Sequence, residues 1–167
     1  MLPQIRTILY ATDLSESARR AAAYAALLAH RFEAVMTALY VIEELPVTGK
    51  SLVLDYIGEE QWNALQAKKR AEYEKNLNRQ IRDFCRETGD EMPECPMRVD
   101  NIRIRDGNPA TVIVREAAEF DHVVIGTHGR NFMAETLLGN TARRVVRRCP
   151  VPVTVVRLPA DGEPLHR

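Results

Sequence analysis

A chain of 167 residues, 46% hydrophobic and 28% charged, has the make-up of one globular domain and not of a disordered or fibrous protein. Lys+Arg and Asp+Glu both number 23, so there is no net basic field to hold nucleic acid or an anionic membrane surface. No stretch approaches the roughly 20 apolar residues of a membrane span, and the first residues show no basic segment followed by an apolar one and a cleavage site, so a cytoplasmic chain is expected.

Residues 5–11 (IRTILYA) form a nearly continuous apolar run, which predicts a central strand buried on both faces. After Thr12, Asp13 and Leu14 the pattern turns helical. Ala18, Ala22, Ala25, Ala26 and Ala29, with Leu27 and Leu28, give a small-residue face fit for close packing on a sheet. Ser15 or Ser17 can cap this helix, and Glu16 suits the positive end of its dipole. Residues 34–42 (AVMTALYVI) are a second interior strand. Residues 43–57 contain Pro46 and Gly49 and hold no sustained period, so a loop is expected, long enough for a functional flap or a partly helical lid. From Glu59 to about Thr88 the period is helical, with Trp62, Leu65, Tyr73, Leu77, Ile81 and Phe84 recurring among polar residues until Gly89. Trp62 and Tyr73 read as core anchors, and Lys68, Lys69 and Arg70 as solvated surface.

Residues 99–105 (VDNIRIR) alternate apolar and polar, the pattern of a half-exposed strand at or near a sheet edge. A turn at residues 106–109 leads into a helix over 109–119, with Asn108 as N-cap, Pro109 as first helical residue, and Val112, Ile113 and Ala117 buried. Val123, Val124 and Ile125 make a short β-branched run too short for a helix, hence a buried strand. A helix over residues 140–148 and a strand over 151–157 follow, and Pro152 marks that strand as an edge or a strand beginning. An apolar edge of this kind invites pairing with a second copy across a two-fold axis, so a homodimer through residues 151–157 is expected. The elements predict one domain over residues 1–158 and a loose polar tail at 159–167. Cys85, Cys95 and Cys149 are odd in number and lack metal spacing. Reduced thiols are their expected state, with a redox pair of Cys85 and Cys95 as the alternative.

Three of the eight glycines, Gly126, Gly129 and Gly139, fall within fourteen positions. Glycine permits positive φ and close approach of a bulky group to the main chain. A strand ending in glycine, a loop, and a glycine at a helix start offer backbone N–H groups to an anion. The spacing G-x2-G-x9-G-N-T is neither the Walker loop nor the dinucleotide fingerprint, and ordinary loop glycines are the alternative.

The order β-α-β-α-β-α-β-α-β predicts a parallel sheet with helices on both faces and right-handed crossovers. Such sheets bind ligands outside the carboxyl ends of strands where strand order reverses. If the first and fourth strands are neighbours, the turn at residues 11–13 and the loop after Gly126 flank one crevice.

Four segments together resemble the universal stress protein family: ATDLS after the first strand, GNPA before the third helix, VVIGTHGR at the fourth strand, and LLGNTARRVVRRCPVPVTVV to the end. The likeness runs from about residue 3 to 157, and its glycine pattern is that of the ATP-binding subgroup. It implies a five-stranded parallel sheet of order 3-2-1-4-5, similar to the adenine nucleotide alpha hydrolase fold, a homodimer, and ATP at the switch point, alone or with Mg²⁺ or Mn²⁺. Ala11, Thr12 and Asp13 match the positions at the ribose or adenine end, and Val41 the position whose backbone reads the adenine edge. Gly126 lets the ribose and α-phosphate pass close to the strand. Thr127, His128, Gly129 and Arg130 match the turn around the phosphates, and Gly139, Asn140, Thr141 and Ala142 the helix start that holds the terminal ones.

Asn140 departs from the Ser or Thr of ATP-binding members. It caps as well as serine but does not reproduce a hydroxyl on a phosphate or a metal ion. His128 reads as a neutral side chain satisfying a loop carbonyl, since no carboxylate is evident to orient it as a base. The SGG-x-D-S and H-x-G-H motifs of related pyrophosphatases and nucleotidyl-transfer enzymes are absent from the sequence. The resemblance therefore implies an ATP-binding stress-response sensor or signalling module. A stress-response dimer acting through protein contacts alone and a slow ATPase are the alternatives.

Overall fold

The computed structural model describes residues 2–15, 18–127 and 138–157, with the backbone alone at 99 and 100. The first apolar run forms β1 (Thr7–Thr12), in which Ile8, Leu9 and Tyr10 are buried. A strand buried on both faces needs partners on both edges. β1 has them in β2 (Val35–Ile42) and β4 (His122–Gly126), both parallel to it. β3 (Met97–Asp106) lies outside β2, and β5 (Val153–Val156) outside β4. The sheet order is β3-β2-β1-β4-β5, as the resemblance implied. The alternating strand is thus an edge strand, as its pattern predicted, and the strand behind Pro152 is the other edge.

The helices cover both faces. α1 (Ala18–Phe32) packs six alanines, among them Ala25 and Ala26 with no exposed surface, against one face, where small side chains allow close approach. Its first turn is tied by the Ala18 N–H, which donates to Ser15 Oγ at 3.2 Å, so Ser15 acts as the cap. α3 (Glu59–Glu87) joins α1 on this face through Leu77, Ile81 and Phe84, each stabilising the core by roughly 1.5–3 kcal/mol. α4 (Pro109–Ala117) and α5 (Asn140–Arg148) build a second core on the opposite face around Leu9, Leu39, Val123 and Ile125. Asn108 caps α4 by accepting from the Thr111 N–H at 3.2 Å, with Pro109 at the first helical position, as the sequence predicted.

The segment expected as a loop or a partly helical lid at residues 43–57 is mostly helix: α2 (Val47–Ile57) lies between Pro46 and Gly58. Gly58 holds φ 81°, a left-handed conformation suited to glycine, and separates α2 from α3. α2 buries none of its residues. A helix with no core beneath it needs no apolar stripe, and the stripe is the signal by which helices are recognised. The expectation of three reduced thiols is also corrected. Cys85, near the end of α3, is joined to Cys95 in the connector to β3, with Cα atoms 5.5 Å apart, and Cys149 is the free thiol. No helix among the described residues is long and apolar enough to cross a membrane.

Candidate functional site

Because β1 and β4 are neighbours while the chain winds outward from β1 in both directions, strand order reverses between them. A cavity of about 1050 Å³ opens there, at the carboxyl ends of the strands. Ala11, Thr12 and Asp13 line it from β1 and its following turn, Val41 from β2, and Gly126 from β4. Gly139, Asn140, Thr141 and Ala142 line it from the start of α5. His128, Gly129 and Arg130 lie outside the described residues. Thr127 is buried just beyond β4, where its N–H donates to the Val156 carbonyl at 2.9 Å.

The turn after β1 is fixed from several sides. Asp13 Oδ1 accepts from the Ser15 N–H at 3.0 Å and from Ser15 Oγ at 2.6 Å, while Leu14 N–H donates to Thr12 Oγ1 at 3.1 Å. Leu14 sits at φ 63°, a left-handed conformation that leucine adopts only at a cost. Gln80, reaching from α3, holds the Leu14 carbonyl at 3.1 Å. The other Asp13 oxygen, Oδ2, is buried and has no hydrogen-bond partner. A buried carboxylate oxygen at a cavity wall is an acceptor without a donor, and such groups are uncommon in folded proteins.

At another wall, α5 begins at Gly139 with no side-chain cap among the described residues. The Gly139 N–H donates to the Thr127 carbonyl at 2.7 Å, so that amide is occupied within the fold. The amides of Asn140, Thr141 and Ala142 belong to the first helical turn and have no intrahelical acceptor. These three residues face the cavity and carry the positive end of the helix dipole toward it. Asn140 Oδ1 accepts from Arg143 at 3.1 Å, which leaves the Asn140 amide nitrogen to donate elsewhere. Arg147 and Arg148 are exposed in the last turn, where they complement the negative dipole end. Gly139 lies at φ −63°, which any residue adopts, so backbone freedom does not require a glycine here.

A further wall was not legible as a site. Trp62, Gln66, Lys69, Arg70 and Tyr73 of α3 line the cavity, with Lys50 of α2 and Asp106 at the end of β3. Of the two expected core anchors, Tyr73 packs against the core beside α1, whereas Trp62 is half-buried and lines the cavity instead. Tyr73 packs its ring 4.8 Å from that of Tyr40. Arg70 is not simply solvated. It donates to the Asp106 carboxylate and, at 3.2 Å, to the Ile104 carbonyl. The charged side chains at the wall, Asp13, Glu43, Glu44 and Asp106 against Lys50, Lys69 and Arg70, give no positive surplus among the described residues. An anion in this cavity is therefore attracted chiefly by oriented amides.

These features define a doubly wound α/β protein with a ligand-sized crevice at its switch point. The family model described as "Universal stress protein family" matches residues 4–157, and the chain belongs to that family. It is 28% identical over 156 residues to universal stress protein MJ0531 of Methanocaldococcus jannaschii, covering 92% of this chain and 83% of that one. The solved structure of universal stress protein UspA from Lactobacillus plantarum is similar with a TM-score of 0.61 at 25% identity, covering 93% of this chain and all of that one, 100%. A universal stress protein solved in complex with cAMP shares the fold, with a TM-score of 0.51 at 21% identity over 93% of this chain and 98% of that one.

Proposed function

We propose that the cavity is an adenine-nucleotide site, taken by ATP, and that its occupancy is the signal of a homodimeric stress-response sensor. The observation that carries this reading is the pairing, across one cavity, of two elements that have no partner among the described residues. The uncapped amides of Asn140, Thr141 and Ala142 stand at one wall, and the orphaned Oδ2 of Asp13 at another. The amides suit phosphate oxygens, and the carboxylate suits a donor such as a ribose hydroxyl. The cAMP complex of a protein with this fold adds an example of an adenine nucleotide. Asn140 contributes its backbone N–H whatever its side chain does, so its departure from Ser or Thr bears on affinity and metal geometry more than on the site itself. Mg²⁺ or Mn²⁺ would enter with the phosphates, since no cluster of three His, Cys, Asp or Glu stands ready among the described residues.

The reading is one of binding with slow or no turnover. No described group at the cavity is a histidine, and Asp13 is engaged on one oxygen by Ser15. Mass spectrometry of gently purified protein, followed by calorimetry with millimolar ATP, tests it. Co-purified adenine nucleotide or saturable heat is expected; neither signal leaves a dimer that acts through protein contacts alone.

A further inference from the structure

The chain as a whole carries no net charge, yet residues 140–157 hold five arginines and no acid. Four of these, Arg143, Arg144, Arg147 and Arg148, are exposed on α5, while Ala142 and Val145 bury its opposite side. Residues four apart on a helix are neighbours. Arg143 therefore stands beside Arg147, and Arg144 beside Arg148, one turn or about 5.4 Å along the axis. None of the four lines the cavity.

Elsewhere the fold gives its arginines carboxylates: Arg19 has Glu87, Arg70 has Asp106, Arg86 has Asp83, and Arg103 and Arg105 share Glu116. On α5, Arg143 donates to Asn140 Oδ1 at 3.1 Å. Arg144, Arg147 and Arg148 have no ion-pair partner among the described residues. Like charges four apart on a helix repel, and the helix dipole favours only the pair in the last turn. Folding thus does not account for both rows.

We propose that the outer face of α5 is a docking surface for a short acidic segment of another protein. The planar guanidinium fork matches a carboxylate with two parallel hydrogen bonds, which a lysine ammonium does not reproduce. All four cations of α5 are arginines. The helix is nine residues long, about 13 Å, the reach of about four extended residues of a partner. Val146, 48% exposed beside the arginines, adds an apolar contact at their margin. A nucleic acid is a poorer match, because α5 exposes no aromatic ring for bases to stack on. A membrane surface is poorer too, since Val146 is the one large apolar side chain that α5 exposes. The proposal does not depend on the nucleotide reading.

A labelled glutamate-rich peptide is titrated with the full chain at low salt and followed by fluorescence anisotropy. A single-stranded oligonucleotide and vesicles of phosphatidylserine with phosphatidylcholine serve as the other anions. The expected result is saturable peptide binding that weakens as salt is raised. Arg144→Gln combined with Arg148→Gln weakens the peptide about tenfold, the effect of two exposed charge contacts. Lys68→Gln combined with Lys75→Gln removes the same charge from exposed positions of α3 and leaves peptide affinity unchanged. Circular dichroism equal to the parent's keeps both comparisons on the folded chain. Absence of saturable peptide binding overturns the proposal. Equal weakening in the two double variants overturns it as well, because net charge and not α5 then governs binding. Tighter binding of the oligonucleotide or the vesicles than of the peptide overturns it in favour of that other class of partner.

Discussion

The Gly139 N–H donates to the Thr127 carbonyl at 2.7 Å, fastening the start of α5 to the end of β4. The bond joins two residues twelve positions apart and fixes where the first turn of α5 points, independently of any ligand. It also removes Gly139 from the list of amides available to an anion and leaves the next three.

Gly139 therefore separates architecture from binding. Its φ of −63° accommodates alanine, and the backbone bond to Thr127 is kept. Gly139→Ala should melt within about 1 kcal/mol of the parent by denaturant titration. Because Gly139 lines the cavity, the added methyl group should weaken ATP about tenfold by calorimetry. Parent affinity in the variant would return this glycine to the ordinary loop class.

Much of this was visible in the sequence, and the misses share a cause. The strands, the alanine face of α1 and the Asn108-Pro109 start of α4 each rest on local chemistry that nothing in the tertiary structure opposes. Helical spacing gave α3 its true length, but spacing says only that a face meets something. Leu77 meets core and Trp62 meets a cavity, and the sequence pattern is the same for both. α2 was legible only as a loop or a partly helical lid because it buries nothing. Asp13, Val41, Gly126 and the residues at 139–142 were placed by family likeness, and the fold brings them to one cavity. The Asp13 orphan and the Arg70–Asp106 pair depend on distant contacts that no local pattern carries.

Glu116 is buried on α4 and receives Arg103 at 2.9 Å and Arg105 at 3.0 Å from the edge strand β3. Burial pushes its carboxyl up, but the hydrogen bonds from Arg103 and Arg105 prevail and hold its pKa below the ordinary 4.5. A depressed carboxylate stabilises the fold fully above its unfolded pKa, and that share is lost as pH falls through the folded value. Glu116→Gln should lower stability by about 2 kcal/mol at neutral pH, a buried-pair loss tempered by the exposure of both arginines. The gap between variant and parent should close in acid below pH 4.5. A gap that stays constant down to the parent's acid transition would remove the ion pairs from the account.

The Cys85–Cys95 bond closes a loop of sequence separation 10. By chain entropy such a closure stabilises by about 2.5 kcal/mol, so Cys95→Ser should lose about that much, and a reducing agent should have the same effect on the parent. A disulfide also withdraws the cysteine argument for a reducing compartment. Alkylation of cells before lysis, read by intact mass, tests cytoplasmic residence: protected Cys85 and Cys95 in a cytosolic fraction show the bond there, and full labelling shows the thiols.

Among the described residues β5 pairs only with β4, and Val153, Thr154 and Val155 are half-buried along that edge. An edge with unpaired backbone groups and valine side chains fits a second copy. Sedimentation at micromolar concentration should give twice the chain mass, and Val155→Lys should shift the protein to monomer with its circular dichroism intact. A monomeric parent, or a variant that stays dimeric, would move the interface elsewhere.

The central claim is that the amides at the start of α5 receive the phosphates of an adenine nucleotide. Titration of isotope-labelled protein with ATP, followed by amide NMR, tests it most directly. The account predicts saturable shifts at Asn140, Thr141 and Ala142 together with Gly126. Unmoved signals at residues 140–142 under millimolar ATP, with the fold intact, would contradict it.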